Sequence, residues 1–142
     1  MSKSLQQTLE QERAKKAWED IQSVARRSED DFKKKYGSLA RRVPMLVLTN
    51  GLGQTLAFLL SKAKLNESPQ KRSADAQAHG ELFHHLSAWT MSQVAPGEKD
   101  PDLLAWVLNT NSDAYRRATA EALAYLTWLK RFAEAELPTE GD

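Results

Sequence analysis

Few side chains in this sequence stand at spacings that could support catalysis. Glu81-Leu82-Phe83-His84 contains a Glu-x-x-His pair, which helical bundles use to hold one half of a di-iron site. Such a site needs a second half, but the other two histidines, His79 and His85, lie in the same segment. Histidines that pack or face solvent are therefore the simpler interpretation, and a helical metal enzyme using Glu81 and His84 is the minority alternative.

The glycine-containing segment Gly51-Leu52-Gly53-Gln54-Thr55-Leu56 is only the first half of a dinucleotide-binding fingerprint. Leu56 occupies the position of the third glycine, and no strand–helix–strand pattern surrounds the segment. The chain also lacks a phosphate-binding P-loop, and it has no cysteine that could act as a nucleophile or zinc ligand. We therefore expect no catalytic residue, no metal, no cofactor and no small-molecule substrate.

A basic segment between Tyr36 and Arg72 is the stronger functional signal. It contains six Lys or Arg residues against the single acid Glu67, which gives a charge of +5. Arginine and lysine side chains bind phosphate, and arginine does so through forked hydrogen bonds. The candidate nucleic-acid contacts are Arg41, Arg42, Lys62, Lys64, Lys71 and Arg72, with Arg116 and Arg117 as further candidates. Ordinary solubilising charge is the alternative interpretation.

The geometry expected of these residues favours contact with a nucleic-acid backbone. If the chain folds back at Asn50-Gly51, the pairs Arg41/Arg42 and Lys62/Lys64 come near the same end of the bundle. The large aromatic residues fall on helical apolar stripes, which predicts that they are core and do not stack on bases. They are Trp18, Phe83, Trp89, Tyr125 and Phe132. Any RNA contact is therefore predicted to be independent of base sequence.

Composition places the chain among single-domain proteins that function in the cytoplasm. It has 142 residues, of which 41% are hydrophobic and 27% charged. The net charge of +1 conceals an asymmetry, because residues 1–72 carry +7 and residues 73–142 carry −6. The polar N-terminus does not resemble a signal peptide, and the one long apolar run, 43–60, is interrupted by Pro44 and two glycines. We expect no membrane span.

Apolar periodicity in the first half predicts helices. Residues 9–36 read as one long helix, with Gly37 ending it and Ser38 capping a second helical segment that runs to Leu48. Asn50-Gly51 between two apolar runs is also typical of a β-hairpin. The helical spacing that continues to Ala63 favours a break between helices, and the hairpin is the alternative.

The second half predicts three more helices after a polar loop over residues 64–75. The first starts at Ser73 or Asp75 and runs to about Val94, and a short one, capped by Asp100-Pro101, runs through Leu108. The last is long, beginning after Asn111 and ending before Pro138. The sequence thus predicts an all-α, single-domain bundle of five or six helices with long N- and C-terminal helices. Residues 1–8 and 138–142 are predicted to be loose tails.

Several of these motifs together resemble the small helical subunit of the type III-B CRISPR effector, the Cmr complex. The resemblance covers most of the chain, but the loop over residues 66–74 matches no motif. Its most specific parts are Pro44, Asn50-Gly51-Leu52, Thr55-Leu56-Ala57-Phe58, Ser61-Lys62, and Tyr115-Arg116 with Thr119 and Glu121-Ala122.

The resemblance implies a non-catalytic subunit in antiviral defence. Such a subunit would stack with copies of itself in the inner filament, beside the backbone subunits and the large subunit, and would contact guide RNA and target RNA. Arg41, Lys62, Arg116 and Arg117 lie within matched motifs, whereas Arg42, Lys64, Lys71 and Arg72 rest on charge alone. A helical protein–protein adaptor without a nucleic-acid role is the alternative function.

Overall fold

The computed structural model describes residues 4–100 and 102–140, and this part of the chain is helical without any strand. The expected all-α bundle is confirmed, with six α-helices and a short 3-10 helix at Pro69–Lys71. None of the described helices is both long and apolar enough to cross a bilayer. The helices are α1 (Leu5–Ala25), α2 (Asp30–Asn50), α3 (Leu52–Ala63), α4 (Ala74–Val94), α5 (Leu103–Asn109) and α6 (Ser112–Glu136).

The boundary between the first two helices differs from the prediction of one helix over residues 9–36. The chain leaves α1 at Arg26, and Glu29 adopts an extended conformation before α2 starts. Asp30 and Asp31 occupy the first turn of α2, where carboxylates interact favourably with the helix dipole. The acidic run after Arg26-Arg27 therefore marks a helix start, which the apolar periodicity did not show.

Gly37 does not end a helix, and Ser38 does not cap one, because both lie inside α2. A Cβ atom at position 37 would come within 2.5 Å of the carbonyl oxygen of Pro138. Glycine is required here because the C-terminal segment crosses α2 at this point. Pro44 likewise lies within α2 without ending it.

Both predicted loose tails are wrong over the residues that the structure describes. Ser4 and Gln7 form a reciprocal capping box, so α1 begins at Leu5. After α6, the Thr139 side chain is buried and the Glu140 amide donates to Ser38 Oγ at 2.8 Å. Residues 1–3 and 141–142, which were also predicted to be loose, lie outside the described part.

The corner between α2 and α3 is a break between two helices, and the alternative hairpin is wrong. Gly51 has a φ of +88°, which residues with a Cβ rarely adopt. Thr55 Oγ1 donates to the Gly51 carbonyl at 2.9 Å, and the Gly53 amide donates to the Tyr115 hydroxyl at 2.9 Å. The corner is therefore fixed from inside α3 and from α6.

Helix α4 lies at the centre of the bundle. It packs against α2, α3, α5 and α6, whereas α1 packs mainly against α6. Twelve of the 21 residues of α4 are buried, because neighbouring helices surround it on several sides.

The prediction that Trp18 belongs to the core is wrong, because its side chain is 42% exposed and contacts Phe132 edge-on. The cap of α5 also moves, from the predicted Asp100 to Asp102, which accepts from the Ala105 amide.

A buried polar cluster joins four helices near the middle of the bundle. We define it as Asp20 of α1, Tyr36 of α2, Glu81 and His85 of α4, and Tyr125 of α6. The Tyr125 hydroxyl donates to Asp20 Oδ2 at 2.5 Å, and the Tyr36 hydroxyl lies 2.7 Å from His85 Nδ1. His85 Nε2 lies 3.1 Å from the half-exposed carboxylate of Glu81. The two hydrogen bonds that join different helices, from Tyr125 to Asp20 and between Tyr36 and His85, help to fix how those helices pack.

Candidate nucleic-acid interface

A basic stripe runs along the exposed side of α2. Because α2 continues through Gly37, Lys34 lies seven residues, or about two turns, before Arg41 on the same helix. Lys34, Arg41 and Arg42 are all exposed, and neither Lys34 nor Arg42 makes a hydrogen bond or ion pair with another described residue. Lys34 was not among the predicted contacts. The seven-residue spacing could have revealed it had Gly37 not been taken as a helix end.

The C-terminal segment partly occupies this stripe. Arg41 Nη1 donates to Thr139 Oγ1 at 3.2 Å, so its guanidinium already has a partner. Glu140 forms an ion pair with Lys35, and the hydrogen bond from Lys35 lowers the pKa of the Glu140 carboxyl, with Arg42 contributing further. The segment therefore reduces the positive charge available on α2 near Arg41.

A second basic group lies where α3 ends. Lys62 is exposed in the last turn, and the exposed Lys64 ends the helix with left-handed backbone angles of φ 54° and ψ 46°. The Arg72 side chain folds back over Gly80 beside Ala63, with Nη1 3.5 Å from the place that a Cβ of Gly80 would take. Lys62, Lys64 and Arg72 therefore share this end of α3.

Arg72 is packed more deeply than its neighbour Lys71, which is exposed on the 3-10 helix. Arg72 is half-buried, and its Nε is inaccessible and has no hydrogen-bond partner among the described residues. A guanidinium held against Gly80 covers apolar surface with its stem. Among the predicted RNA contacts, Arg72 is therefore the one whose packing is most typical of a side chain with a structural role.

Arg116 and Arg117 form a third group, at the opposite end of α3. The preceding residue, Tyr115, binds the Gly53 amide, which lies about 14 Å along the helix axis from Lys62. Arg116 forms an ion pair with Asp113 on the exposed surface of α6. Arg117 is exposed and makes no hydrogen bond or ion pair within the described ranges.

The structure thus divides the eight predicted residues among three places. Arg41 on the α2 stripe contacts the C-terminal segment, Lys62 and Lys64 lie at the end of α3 where Arg72 folds back over Gly80, and Arg116 and Arg117 lie beside the α2–α3 corner. No hydrogen bond or ion pair between described residues joins one group to another. Within these basic groups, the exposed cations that make no hydrogen bond or ion pair with a described residue are Lys34, Arg42, Lys62, Lys64, Lys71 and Arg117.

Glu81 and His84, the pair on which the minority alternative of a metal enzyme rested, do not contact each other. Glu81 contacts His85 and not His84, whose side chain is exposed. The hydrogen bond from His85 lowers the pKa of Glu81. Within residues 4–100 and 102–140, no three His, Asp or Glu side chains gather in an arrangement that could hold a metal ion.

The fold and surface first define a class of protein, a small single-domain helical bundle with exposed basic side chains. The matching family model is described as CRISPR-associated protein (Cas_Cmr5) and covers residues 9–136. The chain therefore belongs to the Cmr5 family, the small subunits of the type III-B Cmr complex. This confirms the family that the sequence motifs resemble.

Two similar proteins come from Thermus thermophilus. One is a CRISPR system Cmr subunit Cmr5 that is 30% identical over 122 residues, covering 86% of this chain and 90% of the relative. The other is the crystal structure of a CRISPR-associated Cmr5 family protein, with a TM-score of 0.66 and 29% identity. That alignment covers 89% of this chain and 95% of the other, so the two proteins share most of the bundle.

Proposed function

We propose that this protein is a non-catalytic subunit that binds the RNA backbone within the Cmr complex. It stacks in the inner filament beside the backbone subunits and the large subunit, and its basic side chains contact guide or target RNA. One observation carries the proposal: six exposed cations on α2, at the end of α3, in the α3–α4 connection and on α6 make no hydrogen bond or ion pair with a described residue.

Phosphate binding is the chemistry that such side chains supply. Each Lys or Arg that neutralises a phosphate releases condensed counterions, which gives affinity without reading the bases. The aromatic side chains give little support for base stacking, because Phe83, Trp89 and Tyr125 are buried. The exposed Trp18 lies on α1, outside the three basic groups, and packs edge-on against Phe132. The proposed contact is therefore indifferent to RNA sequence, and specificity comes from pairing between guide and target.

A protein–protein adaptor without RNA contacts is the second candidate. It is favoured by the cations that the fold already engages. Arg41 donates to Thr139, Arg116 pairs with Asp113, and Arg72 packs over Gly80. For an adaptor, the remaining cations would only keep the protein in solution.

Charge reversal of exposed, unpaired cations separates the two candidates. We choose Arg42→Glu, Lys62→Glu and Arg117→Glu, one from each basic group, because none of them holds the fold together through an ion pair. Binding of single-stranded RNA is measured across a salt series. The slope of log affinity against log salt should fall by about 0.7 for each phosphate that the variant no longer neutralises.

Lys15→Glu is the matched control, since Lys15 is exposed on α1, outside the three basic groups, and makes no hydrogen bond or ion pair with a described residue. It produces the same charge change per substitution and should leave the salt slope as it is. A triple variant with the affinity and slope of the unchanged protein would reject the RNA contacts and leave the adaptor.

A further inference from the structure

An apolar groove lies between α3, α4 and α5, and the loop after α3 that borders it also carries Lys64 of the basic group at the end of α3. It encloses about 620 Å³, and the side chains that form its apolar surface come from all three helices and the loop after α3. They are Leu60, Leu65, Phe83, Leu104 and Leu108. The groove has room for two or three apolar side chains of a bound segment.

Two leucines that line this groove are exposed to solvent, although other apolar side chains lie beside them. Leu108 of α5 is 73% exposed, and Leu65, in the loop after α3, is 41% exposed. Contiguous exposed apolar surface that is bordered by polar residues marks interaction sites in soluble proteins. Single exposed leucines are common, but here two of them line the same cavity.

One edge of the groove is acidic. Asp100 and Asp102 line the cavity beside Ala105, and residues 98–102 carry three acids against the single Lys99. Carboxylates at this edge repel a phosphate backbone and attract a basic partner. The charge of the groove is therefore opposite in sign to that of the α2 stripe.

The floor of the groove contains a hydroxyl group whose hydrogen bonds are unsatisfied. Ser87 of α4 lines the cavity and is 3% exposed, yet its Oγ has no hydrogen-bond partner among the described residues. Rotation about χ1 can direct a serine hydroxyl toward a polar group that enters the groove. A bound segment would thus find one hydrogen-bonding group within an otherwise apolar floor.

We propose that this groove receives a short amphipathic helix from another subunit of the effector, with two or three apolar side chains seated on Leu65, Phe83 and Leu108 and a Lys or Arg beside Asp100. Helix α5, which forms one wall, has seven residues and is about 10 Å long, so about two turns of a partner helix fit along it. The inference rests on membership in the Cmr5 family and is independent of the RNA contacts proposed above.

Photo-crosslinking in the reconstituted complex tests the inference directly. A photoreactive phenylalanine analogue replaces Leu108, and the crosslinked peptides are identified by mass spectrometry. The expected product is a peptide of a different subunit that has apolar residues within one turn of a Lys or Arg. Crosslinks to RNA, to a second copy of this chain, or to nothing above background would overturn the proposal.

The same analogue at Leu5 is the control, because that side chain is 91% exposed at the start of α1 and does not line the groove. A crosslink of equal yield to the same peptide from position 5 would also count against the groove.

Incorporation into the complex provides a second measurement. Leu108→Arg places a cation where the proposal puts a basic helix, and we expect incorporation to fall about tenfold, as for the loss of an interface hot spot. Leu5→Arg makes the same chemical change outside the groove and should assemble normally. Equal incorporation of both variants would reject the inference.

RNA binding by the free Leu108→Arg protein, measured in the same salt series, keeps the two proposals apart. If Leu108→Arg binds RNA with unchanged affinity but no longer enters the complex, the result supports the proposed partner helix. This conclusion does not depend on how the charge reversals at Arg42, Lys62 and Arg117 affect RNA binding. A loss of RNA affinity in this variant would show that the groove side of the bundle belongs to the RNA surface, and would overturn the proposed partner helix.

Discussion

Charged and polar side chains behave differently in two regions of this molecule. In the buried polar cluster, two hydrogen bonds join different helices, between Asp20 and Tyr125 and between His85 and Tyr36, while Glu81 pairs with His85 of its own helix. On the basic stripe of α2, Lys34 and Arg42 make no hydrogen bond or ion pair with any described residue. Buried groups must be satisfied within the fold, whereas water satisfies exposed ones at little cost. The side chains of the buried polar cluster therefore stabilise the packing of the helices, whereas those of the α2 stripe remain available to bind a ligand.

The largest effect should come from breaking the buried cluster. Asp20→Ala removes the acceptor of the Tyr125 hydroxyl and the partner of Lys16, whose Nζ lies 2.6 Å from the carboxylate. We expect the free energy of unfolding to fall by about 3 kcal/mol, because a buried donor is left unsatisfied. Urea denaturation measures the change. Glu19→Ala, its exposed neighbour, is the control, and an equal loss in both variants would contradict the role of the cluster.

Alkaline pH should weaken the cluster through its tyrosines. Burial raises the pKa of Tyr36 and of Tyr125 well above the ordinary value. A pKa raised on folding contributes stability that is complete below the unfolded pKa, near 10, and is lost as the pH rises toward the folded pKa. Above about pH 10 the free energy of unfolding should therefore fall by about 1.4 kcal/mol per pH unit for each tyrosine.

Stability measured at several alkaline pH values checks this slope. Tyr36→Phe should remove one of the two contributions and reduce the slope by that amount, although it also loses the hydrogen bond to His85. A slope identical to that of the unchanged protein would show that Tyr36 ionises equally easily in the folded and unfolded chains.

A smaller effect should follow from Gly37→Ala, which tests the contact between α2 and the C-terminal segment. The new Cβ would lie 2.5 Å from the Pro138 carbonyl oxygen, so the segment must move. Overpacking costs about 1–3 kcal/mol, and the better helix propensity of alanine offsets about 1 kcal/mol of it. Thermal unfolding and carboxypeptidase digestion should show a lower Tm and faster trimming after Leu137.

Gly97→Ala is the control, since a Cβ there meets nothing within 4 Å. If Gly37→Ala digests no faster than this control, the C-terminal segment does not depend on the missing Cβ at position 37.

The smallest effect on stability should come from the exposed cations. Arg42→Glu, Lys62→Glu and Arg117→Glu break no hydrogen bond or ion pair between described residues, so each should change the free energy of unfolding by no more than about 0.5 kcal/mol. Their RNA binding should nevertheless weaken. Urea denaturation measures the stability of these variants, and the RNA salt series measures their RNA binding. If they lost as much stability as Asp20→Ala, the α2 stripe and the buried polar cluster would not differ in their contribution to folding.

Sequence patterns predicted well those features that depend on neighbouring residues. Asn111 caps the last helix, Ser73 caps α4, and the break at Asn50-Gly51 lies where the dipeptide indicated it. The prediction at Gly37 was wrong because glycine marks a helix end and a close backbone approach equally well. Only the position of Pro138 in space distinguishes the two.

The prediction of the candidate site was limited in the same way, because contacts between residues distant in the chain cannot be read from the sequence. Counting charge selected the six basic candidates between Tyr36 and Arg72, but it could not show that Arg72 packs over Gly80 or that Arg41 donates to Thr139. Lys34 was not predicted, and its place on the same helix as Arg41 depends on α2 being continuous. Partners far apart in the chain leave no local pattern.

The sequence alone determined the helical class, the family and the unequal charge of the two halves, because caps, apolar periodicity and charge are properties of residue types at short spacings. Tertiary structure decided which polar groups are buried together, where the C-terminal segment lies, and which cations stay unpaired. Those outcomes depend on contacts such as that between Asp20 and Tyr125, 105 residues apart in the chain. They are fixed only when the helices pack, since packing removes water from some polar groups and leaves others exposed to it.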